Sequence, residues 1–260
     1  MKTIILCGGQ GTRIRDVADS IPKPMISIGD LPILWHIMKT YSVAGYEEFV
    51  LCLGYKSHVI KDFFLNYDTF TSDFTISLGG QKEIDLHGGP LESNWRVTLA
   101  ETGLDAMTGA RVCRVKKYIN DEDFMITYGD GLADVDFHAL VAFHKAHGKI
   151  MTVTGVRPPG RFGEMEINAD SLITEFNEKP QATGGRISGG FFVCRPELFN
   201  YLTDNEDLVF EQEPMRALCA DKQLMVYKHD GFWQCMDTYR DFQMLNRMWT
   251  SHCAPWKSWR

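Results

Sequence analysis

The stretch Ile4-Ile-Leu-Cys-Gly-Gly-Gln-Gly-Thr-Arg-Ile-Arg-Asp-Val-Ala-Asp-Ser-Ile-Pro-Lys-Pro-Met25 decides how this chain is to be read. Ile4, Ile5 and Leu6 predict a short buried strand. Gly8, Gly9 and Gly11 let the backbone that follows bend sharply and present its N–H groups to an anion. Arg13 and Arg15 add permanent positive charge. Across Ser20-Ile21-Pro22-Lys23-Pro24 a helix cannot continue, because the residue before each proline is pushed into extended geometry. Lys23 is therefore carried on a stiff, extended segment, and the stretch as a whole is suited to holding phosphate.

Two better-known glycine fingerprints fail on this stretch. A dinucleotide-binding turn needs a third glycine after Gly9-Gln10-Gly11, but position 14 is Ile, and no clean βαβ unit with an acid about 20 residues on follows. The P-loop fails because Gly-Lys-Ser/Thr is absent. What stands complete is Gly8-Gly9-Gln10-Gly11-Thr12-Arg13 followed by Pro22-Lys23-Pro24-Met25. This pair resembles the signature of the sugar-phosphate nucleotidyltransferases, a GGxGTR loop and a PKPM segment. The resemblance implies that the loop wraps a nucleotide triphosphate and that Arg13 and Lys23 bind phosphates.

Composition bounds the rest. With 260 residues, 44% of them hydrophobic, the chain can bury a substantial core. A formal charge of −7 with no basic stripe argues against a nucleic-acid surface, so a bound nucleotide is expected as a small molecule. Seven scattered cysteines form no CxxC pair, and most are expected in the core. No leader-like segment opens the sequence, and no apolar run nears the ~20 residues that span a bilayer. The expectation is a soluble, reduced, cytoplasmic protein without a membrane partner.

Strand-like runs at 3–7, 49–53, 74–78, 96–100, 124–128, 150–156 and 187–194 alternate with helical ones. Helices are predicted from Pro32, with the proline in the first turn, over Lys56 to Tyr67, and over Asp136 to His147. Glu211 to Lys222 and Asp237 to Trp249 are further candidates. This order predicts an α/β fold with a mostly parallel twisted sheet flanked by helices, which the resemblance makes a Rossmann-like nucleotidyltransferase fold with a small β insertion. A single domain is expected, with an α/β core over 1–195 and a helical C-terminal extension over 196–260. Tryptophans exposed in that tail would mark a subunit contact. His138, His144 and His147 share one predicted helix and read as packing residues rather than metal ligands.

A second chemical feature is Phe124-Met125-Ile126-Thr127-Tyr128-Gly129-Asp130-Gly131, an apolar strand that ends in an acid between glycines. Ligands of open α/β sheets gather beyond the carboxyl ends of strands, although Gly-Asp-Gly alone also describes an ordinary turn. Asp237 likewise reads alone as a helix N-cap. The resemblance implies more: a strand-end acid and a late acid beside an aromatic stretch jointly hold Mg2+, which puts the metal on Asp130 and Asp237. It further implies a sugar-phosphate pocket from Gly163, Glu178, Lys179, Gly189 and Gly190. There the glutamate accepts sugar hydroxyls and the lysine holds the phosphate. Nucleotide contacts are implied for Leu6, Gly8, Gly9, Gly11, Thr12, Arg13, Lys23, Thr102, Arg111 and Asp130, with Arg13, Lys23 and Lys179 acting on the reacting phosphates.

The segment from Trp95 to Arg111 is unlike the glutamine-containing stretch of the thymidylyl- and uridylyl-transferring members. With Pro158-Pro-Gly-Arg-Phe-Gly-Glu-Met-Glu-Ile167 and Ala254-Pro-Trp-Lys-Ser-Trp259, it resembles the cytidylyl-transferring ones. That implies CTP and α-D-glucose 1-phosphate as substrates, CDP-glucose and pyrophosphate as products, an activated sugar for deoxysugar or polysaccharide synthesis, and a homo-oligomer. A guanidinium facing cytosine O2 and N3 would leave the N3–H of uracil against a donor, and Arg111 is the candidate, with Thr102 beside the base. A surface arginine at a helix start is the competing reading. Another phosphorylated acceptor, a nicotinamide-dependent oxidoreductase and a non-catalytic nucleotide-binding subunit remain as alternatives.

Overall fold

A computed structural model of the chain describes residues 1–9, 11, 21–79, 83–88, 92–157, 164–167, 173–177 and 185–259. The apolar run at the N terminus becomes β1 (Lys2–Leu6), an interior strand of the main sheet. After a 3-10 turn at Lys23–Met25 come the short β2 (Ser27–Ile28) and β3 (Leu31–Pro32), then α1 (Ile33–Val43), β4 (Glu48–Leu53), α2 (Ser57–Leu65) and α3 (Tyr67–Thr71). A hairpin of β5 (Asp73–Ser77) and β6 (Glu83–His87) precedes β7 (Arg96–Glu101), α4 (Thr108–Arg114), β8 (Phe124–Tyr128) and β9 (Gly131–Ala133). Next follow α5 (Phe137–His147), β10 (Met151–Val156), β11 (Glu164–Ile167), β12 (Ile173–Asn177) and β13 (Ile187–Cys194). The last elements are α6 (Glu213–Ala220), β14 (Leu224–His229), β15 (Trp233–Cys235) and α7 (Tyr239–Thr250).

The main sheet has seven strands in the order β14-β10-β13-β8-β1-β4-β7. Its pairings are parallel except at β13, which runs antiparallel to both β10 and β8. The mostly parallel sheet is therefore as expected, and β13 is the exception. Successive side chains on a strand point to opposite faces, and β1 divides accordingly. Ile5 packs with Leu51, Met125 and Val193 beneath α1 and α5, whereas Ile4 and Leu6 pack with Val50, Ile126 and Phe192 beneath α4 and α6.

Several details depart from the sequence reading. The expected 74–78 strand belongs to the β5–β6 hairpin rather than the main sheet. Pro32 stands at the N-cap of α1, one step before the first turn, because it ends the β2–β3 ribbon. The 56–67 helix breaks at Asn66 into α2 and α3. The region after 195 is not helical alone: β14 forms one edge of the main sheet and β15 pairs with β9. Nor do its tryptophans face outward. Trp256 is 1% exposed, and Trp249, Trp256 and Trp259 surround His36 of α1. All seven cysteines are free; Cys7, Cys52 and Cys194 are buried, while Cys219 and Cys253 are exposed. Among the described residues, no helix is long and apolar enough to cross a membrane.

Candidate functional site

Because β4, β1 and β8 run parallel and in register, Cys52, Leu6 and Tyr128 lie side by side at their carboxyl ends. The loops that follow these strands are thereby brought together, as a parallel sheet requires. Backbone bonds fix them: Cys7 donates to the Cys52 carbonyl at 3.0 Å, Gly129 to Leu6 at 3.1 Å, and Tyr55 to Gly8 at 3.2 Å.

Arg111 comes up beneath this junction from α4. It is 5% exposed, which excludes the surface-arginine reading. Its Nη1 donates to the carbonyls of Leu53 (3.0 Å) and Gly103 (2.8 Å) and to Thr102 Oγ1 (2.9 Å). Its Nη2 donates to the carbonyls of Gly8 and Leu104, each at 3.1 Å. One guanidinium thus pins the loops after β1, β4 and β7 to one another. Position 8 has to be glycine for this, since a Cβ there would lie 2.1 Å from Arg111 Nη1. Burial lowers the Arg111 pKa from its usual value, yet guanidinium remains charged in proteins. Thr102 is buried behind it, and its hydroxyl donates to the Leu53 carbonyl at 2.6 Å. It supports Arg111 and does not line the cavity.

Asp130 and Asp237 meet through a short ribbon. β9 follows Asp130, β15 precedes Asp237, and the two pair antiparallel with Gly131 opposite Cys235. The Met236 N–H donates to the Asp130 carbonyl at 2.9 Å, extending the ribbon to the acids themselves. Asp237 is not the N-cap of α7. That place belongs to Thr238, in a capping box with Asp241, and Asp241 Oδ2 also accepts the Asp237 N–H at 3.1 Å. The Asp237 side chain is left to face Asp130.

Between the two acids stands Lys23. Its Nζ donates to Asp130 Oδ2 and to Asp237 Oδ1, both at 2.5 Å. Burial alone would lower its pKa, but the attraction of the two carboxylates outweighs that and holds the ammonium above its ordinary range. The Cys235 thiol beside them is pushed up to about 12 by burial and then by the charges of Asp237 and Asp130, so it stays protonated.

Two cavities join at this triad. One, of about 500 Å3, is lined by Leu6, Gly8, Gly9, Gly11, Lys23 and Arg111, among others. The other, of about 670 Å3, is lined by Ser188, Gly189, Glu211 and Trp233. Thr108, Tyr128, Asp130 and Asp237 border both. Gly190 lies behind Tyr128, with φ +80 and a hypothetical Cβ 2.3 Å from Tyr128 Cδ2, so a larger residue would displace that ring. Thr12, Arg13, Gly163, Glu178 and Lys179 lie outside the described residues.

Several lining residues were not foreseen. Tyr128 was within reach, as the residue two before Asp130 on a strand that ends at the site. Ala106, Met107 and Thr108 fall within the Trp95–Arg111 segment, in which only Thr102 and Arg111 are expected at the nucleotide, and Glu211 belongs to no motif. His144 and His147 share the Thr152 hydroxyl at 2.8 and 2.7 Å, as packing residues. Among the described residues, no group of three or more His, Cys, Asp or Glu is placed to hold a metal. A cation on Asp130 and Asp237 would therefore take its other ligands from substrate and water, the pattern that Mg2+ favours.

Comparison with known proteins identifies the family. Residues 2–250 match the nucleotidyl transferase family. The glucose-1-phosphate cytidylyltransferase of Salmonella typhimurium is 47% identical over 260 residues, covering 100% of both chains. A probable glucose-1-phosphate cytidylyltransferase of Bacillus subtilis is 42% identical over 259 residues, again covering 100% of both. Among solved structures, a UDP-glucose pyrophosphorylase complexed with UDP-glucose superposes with a TM-score of 0.69 at 15% identity, over 96% of this chain and 98% of that one. This last likeness concerns the fold alone. With motif, fold and full-length relatives in agreement, the chain belongs to the nucleotidyl transferase family and is similar throughout its length to that family's glucose-1-phosphate cytidylyltransferases.

Proposed function

We propose that this protein transfers a cytidylyl group from CTP to α-D-glucose 1-phosphate, giving CDP-glucose and pyrophosphate. The observation that carries the reading is the Lys23 ammonium held between Asp130 and Asp237, where the glycine-loop cavity meets the second cavity. The two carboxylates bond the same ammonium, which supports their sharing a cation. Asp130 and Asp237 fit Mg2+ by this test, since a hard dication needs one or two carboxylates when phosphate oxygens complete its shell. When bound, it supplies charge neutralisation on the phosphates.

In this reading the nucleotide lies in the cavity lined by Leu6, Gly8, Gly9 and Gly11. The loop amides and Arg13 hold the pyrophosphate that departs, and Lys23 turns to the α-phosphate. Lys179 grips the phosphate of the sugar, Glu178, Gly163 and Gly189 serve the sugar itself, and Gly190 makes room for the Tyr128 ring beside it. One oxygen of that phosphate attacks the α-phosphorus in line, and the bond between the α- and β-phosphates breaks. The attacking oxygen is already anionic near neutral pH, so no general base is needed and alignment dominates. Arg111 lines the nucleotide cavity with its Nη hydrogens committed to backbone carbonyls and the Thr102 hydroxyl, so it acts on the base as a fixed positive charge, which favours the electron-rich O2–N3 edge of cytosine, rather than as a hydrogen-bond donor to it.

The reading includes a homo-oligomer in the cytoplasm. Free cysteines are in keeping with a reducing compartment. The β5–β6 hairpin supports assembly. Phe74 pairs with Leu86 and Ile76 with Ile84, so one face is wholly apolar, and Phe74, Ile84 and Leu86 are each more than 40% exposed. A two-stranded hairpin with such a face is marginal unless covered. Light scattering should then give a multiple of 29.6 kDa.

The test is pyrophosphate release from CTP, UTP, dTTP, ATP and GTP with glucose 1-phosphate and Mg2+. Release with CTP supports the proposal, and its absence removes it. Equal use of UTP would remove the assignment of Arg111 to the base.

A further inference from the structure

Glu211 stands apart from every motif in the chain, yet it lines the second cavity beside Thr108 and Tyr128, which border both cavities. Its Oε2 accepts the Thr108 hydroxyl at 2.8 Å, and its Oε1 accepts the Tyr128 phenol. The Thr108 oxygen in turn accepts the Phe210 N–H at 2.9 Å. The backbone locks the same two segments together, since Met107 donates to Glu206 at 2.7 Å and Gly109 to Leu208 at 2.8 Å. Thr108, Glu211 and Tyr128 therefore form a partition between the glycine-loop cavity and the second one. Its carboxylate cannot drift, because both of its oxygens are bonded to groups on different elements.

We propose that Glu211 is a specificity-determining residue that accepts a hydroxyl of the acceptor sugar in the second cavity. The inference rests on the cytidylyl-transfer reading above and adds to it a residue that no motif supplies. An ionised carboxylate offers about four acceptor positions, and Thr108 and Tyr128 use only two of them. The remaining lone pairs border a cavity whose other walls suit a pyranose. Ser188 supplies a hydroxyl, and the Trp233 indole gives an apolar wall. That indole is fixed by its Nε1–H, which donates to the Gly189 carbonyl at 2.8 Å. Glu211 is exposed at the cavity mouth, which leaves it open to an entering sugar. Tyr128 and Thr108 act as positioning residues, orienting the carboxylate rather than touching the sugar through their own hydroxyl hydrogens.

The test compares the wild-type enzyme with Glu211→Ala, Glu211→Gln and Tyr128→Phe on glucose 1-phosphate and on its 2-, 3-, 4- and 6-deoxy analogues. Loss of a hydrogen bond to a charged group predicts that Glu211→Ala lowers kcat/KM for glucose 1-phosphate by about 10- to 100-fold. The effect should lie mainly in the KM of the sugar, with the KM of CTP within about twofold. One deoxy analogue should be penalised by the wild type and no longer distinguished by Glu211→Ala. Tyr128→Phe should shift the same KM by a smaller factor, and it serves as the readout if Glu211→Ala does not fold. An unchanged sugar KM in the folded variants would overturn the inference, as would a loss equal for CTP and for all four analogues. Failure of the functional reading looks different, because the wild type itself would then release no pyrophosphate from CTP and glucose 1-phosphate.

Discussion

Lys23 draws its importance from charge. An ammonium 2.5 Å from two carboxylates is held by both, and removing it leaves two half-buried acids facing each other uncompensated. Lys23→Ala and Asp130→Asn should each lower turnover by at least ~10²-fold, the scale on which a preorganised charge-stabilising group acts. Steady-state pyrophosphate release measures this, and near-normal rates would withdraw the roles given to both residues. Lys23→Ala should also bind Mn2+ more tightly in the absence of nucleotide, since the competing cation is gone; electron paramagnetic resonance titration reads the difference. At this scale Asp130 was legible, because an apolar strand ending in Gly-Asp-Gly places its acid at a ligand-binding edge. The setting of Arg111 was not. Its partners come from the loops after β1, β4 and β7, and no local pattern in 96–111 reveals that a guanidinium will be buried among their carbonyls.

Elements explain why two acids more than a hundred residues apart meet. The β9–β15 ribbon puts Gly131 opposite Cys235, and the capping box of α7 holds the chain immediately after Asp237. Asp241 is central to that box, accepting the N–H groups of Asp237 and Thr238 and, through Oδ1, the Gln234 amide at 3.0 Å. Thr238→Ala should cost about 1 kcal/mol of stability, the usual worth of an N-cap. Urea denaturation measures it, and turnover should fall with it because Asp241, which accepts the Asp237 N–H, loses the Thr238 hydroxyl that orients it. A variant equal to wild type in both respects would show that the box does not position the acid. The helix itself was readable from the sequence, but the cap was not placed on Asp237's neighbour, because Asp237 and Thr238 are both competent N-caps by residue type. The ribbon decided between them by turning the aspartate toward Lys23.

For the molecule as a whole, two buried histidines couple stability to pH. Burial lowers the pKa of His36 to about 4 and, with the nearby charges of His147, Arg195 and Lys145 added, that of His144 to about 4. His36 is in contact with the Ile28 carbonyl through Nε2 at 2.9 Å, and among the described residues neither His36 Nδ1 nor His144 Nε2 has a hydrogen-bond partner. Below the ordinary value of 6.5 the unfolded chain takes up protons that the folded chain refuses, so stability is lost as pH falls from 6.5 toward 4, by up to about 3 kcal/mol for each histidine. Thermal melting across that range should show the fall, and His36→Gln should flatten it; an unaltered slope would remove His36 as a cause. The chemistry of this protein was determined by its sequence. The glycine loop, PKPM and the strand ending at Asp130 are local patterns, and local patterns follow from dihedral preference and hydrophobic period, which neighbours in sequence control. Only the tertiary structure decided which residues face one another across long separations. β13 runs antiparallel, β14 joins the sheet, Trp256 turns inward, and Thr108 meets Glu211, each through packing and pairing between segments that no short-range preference connects.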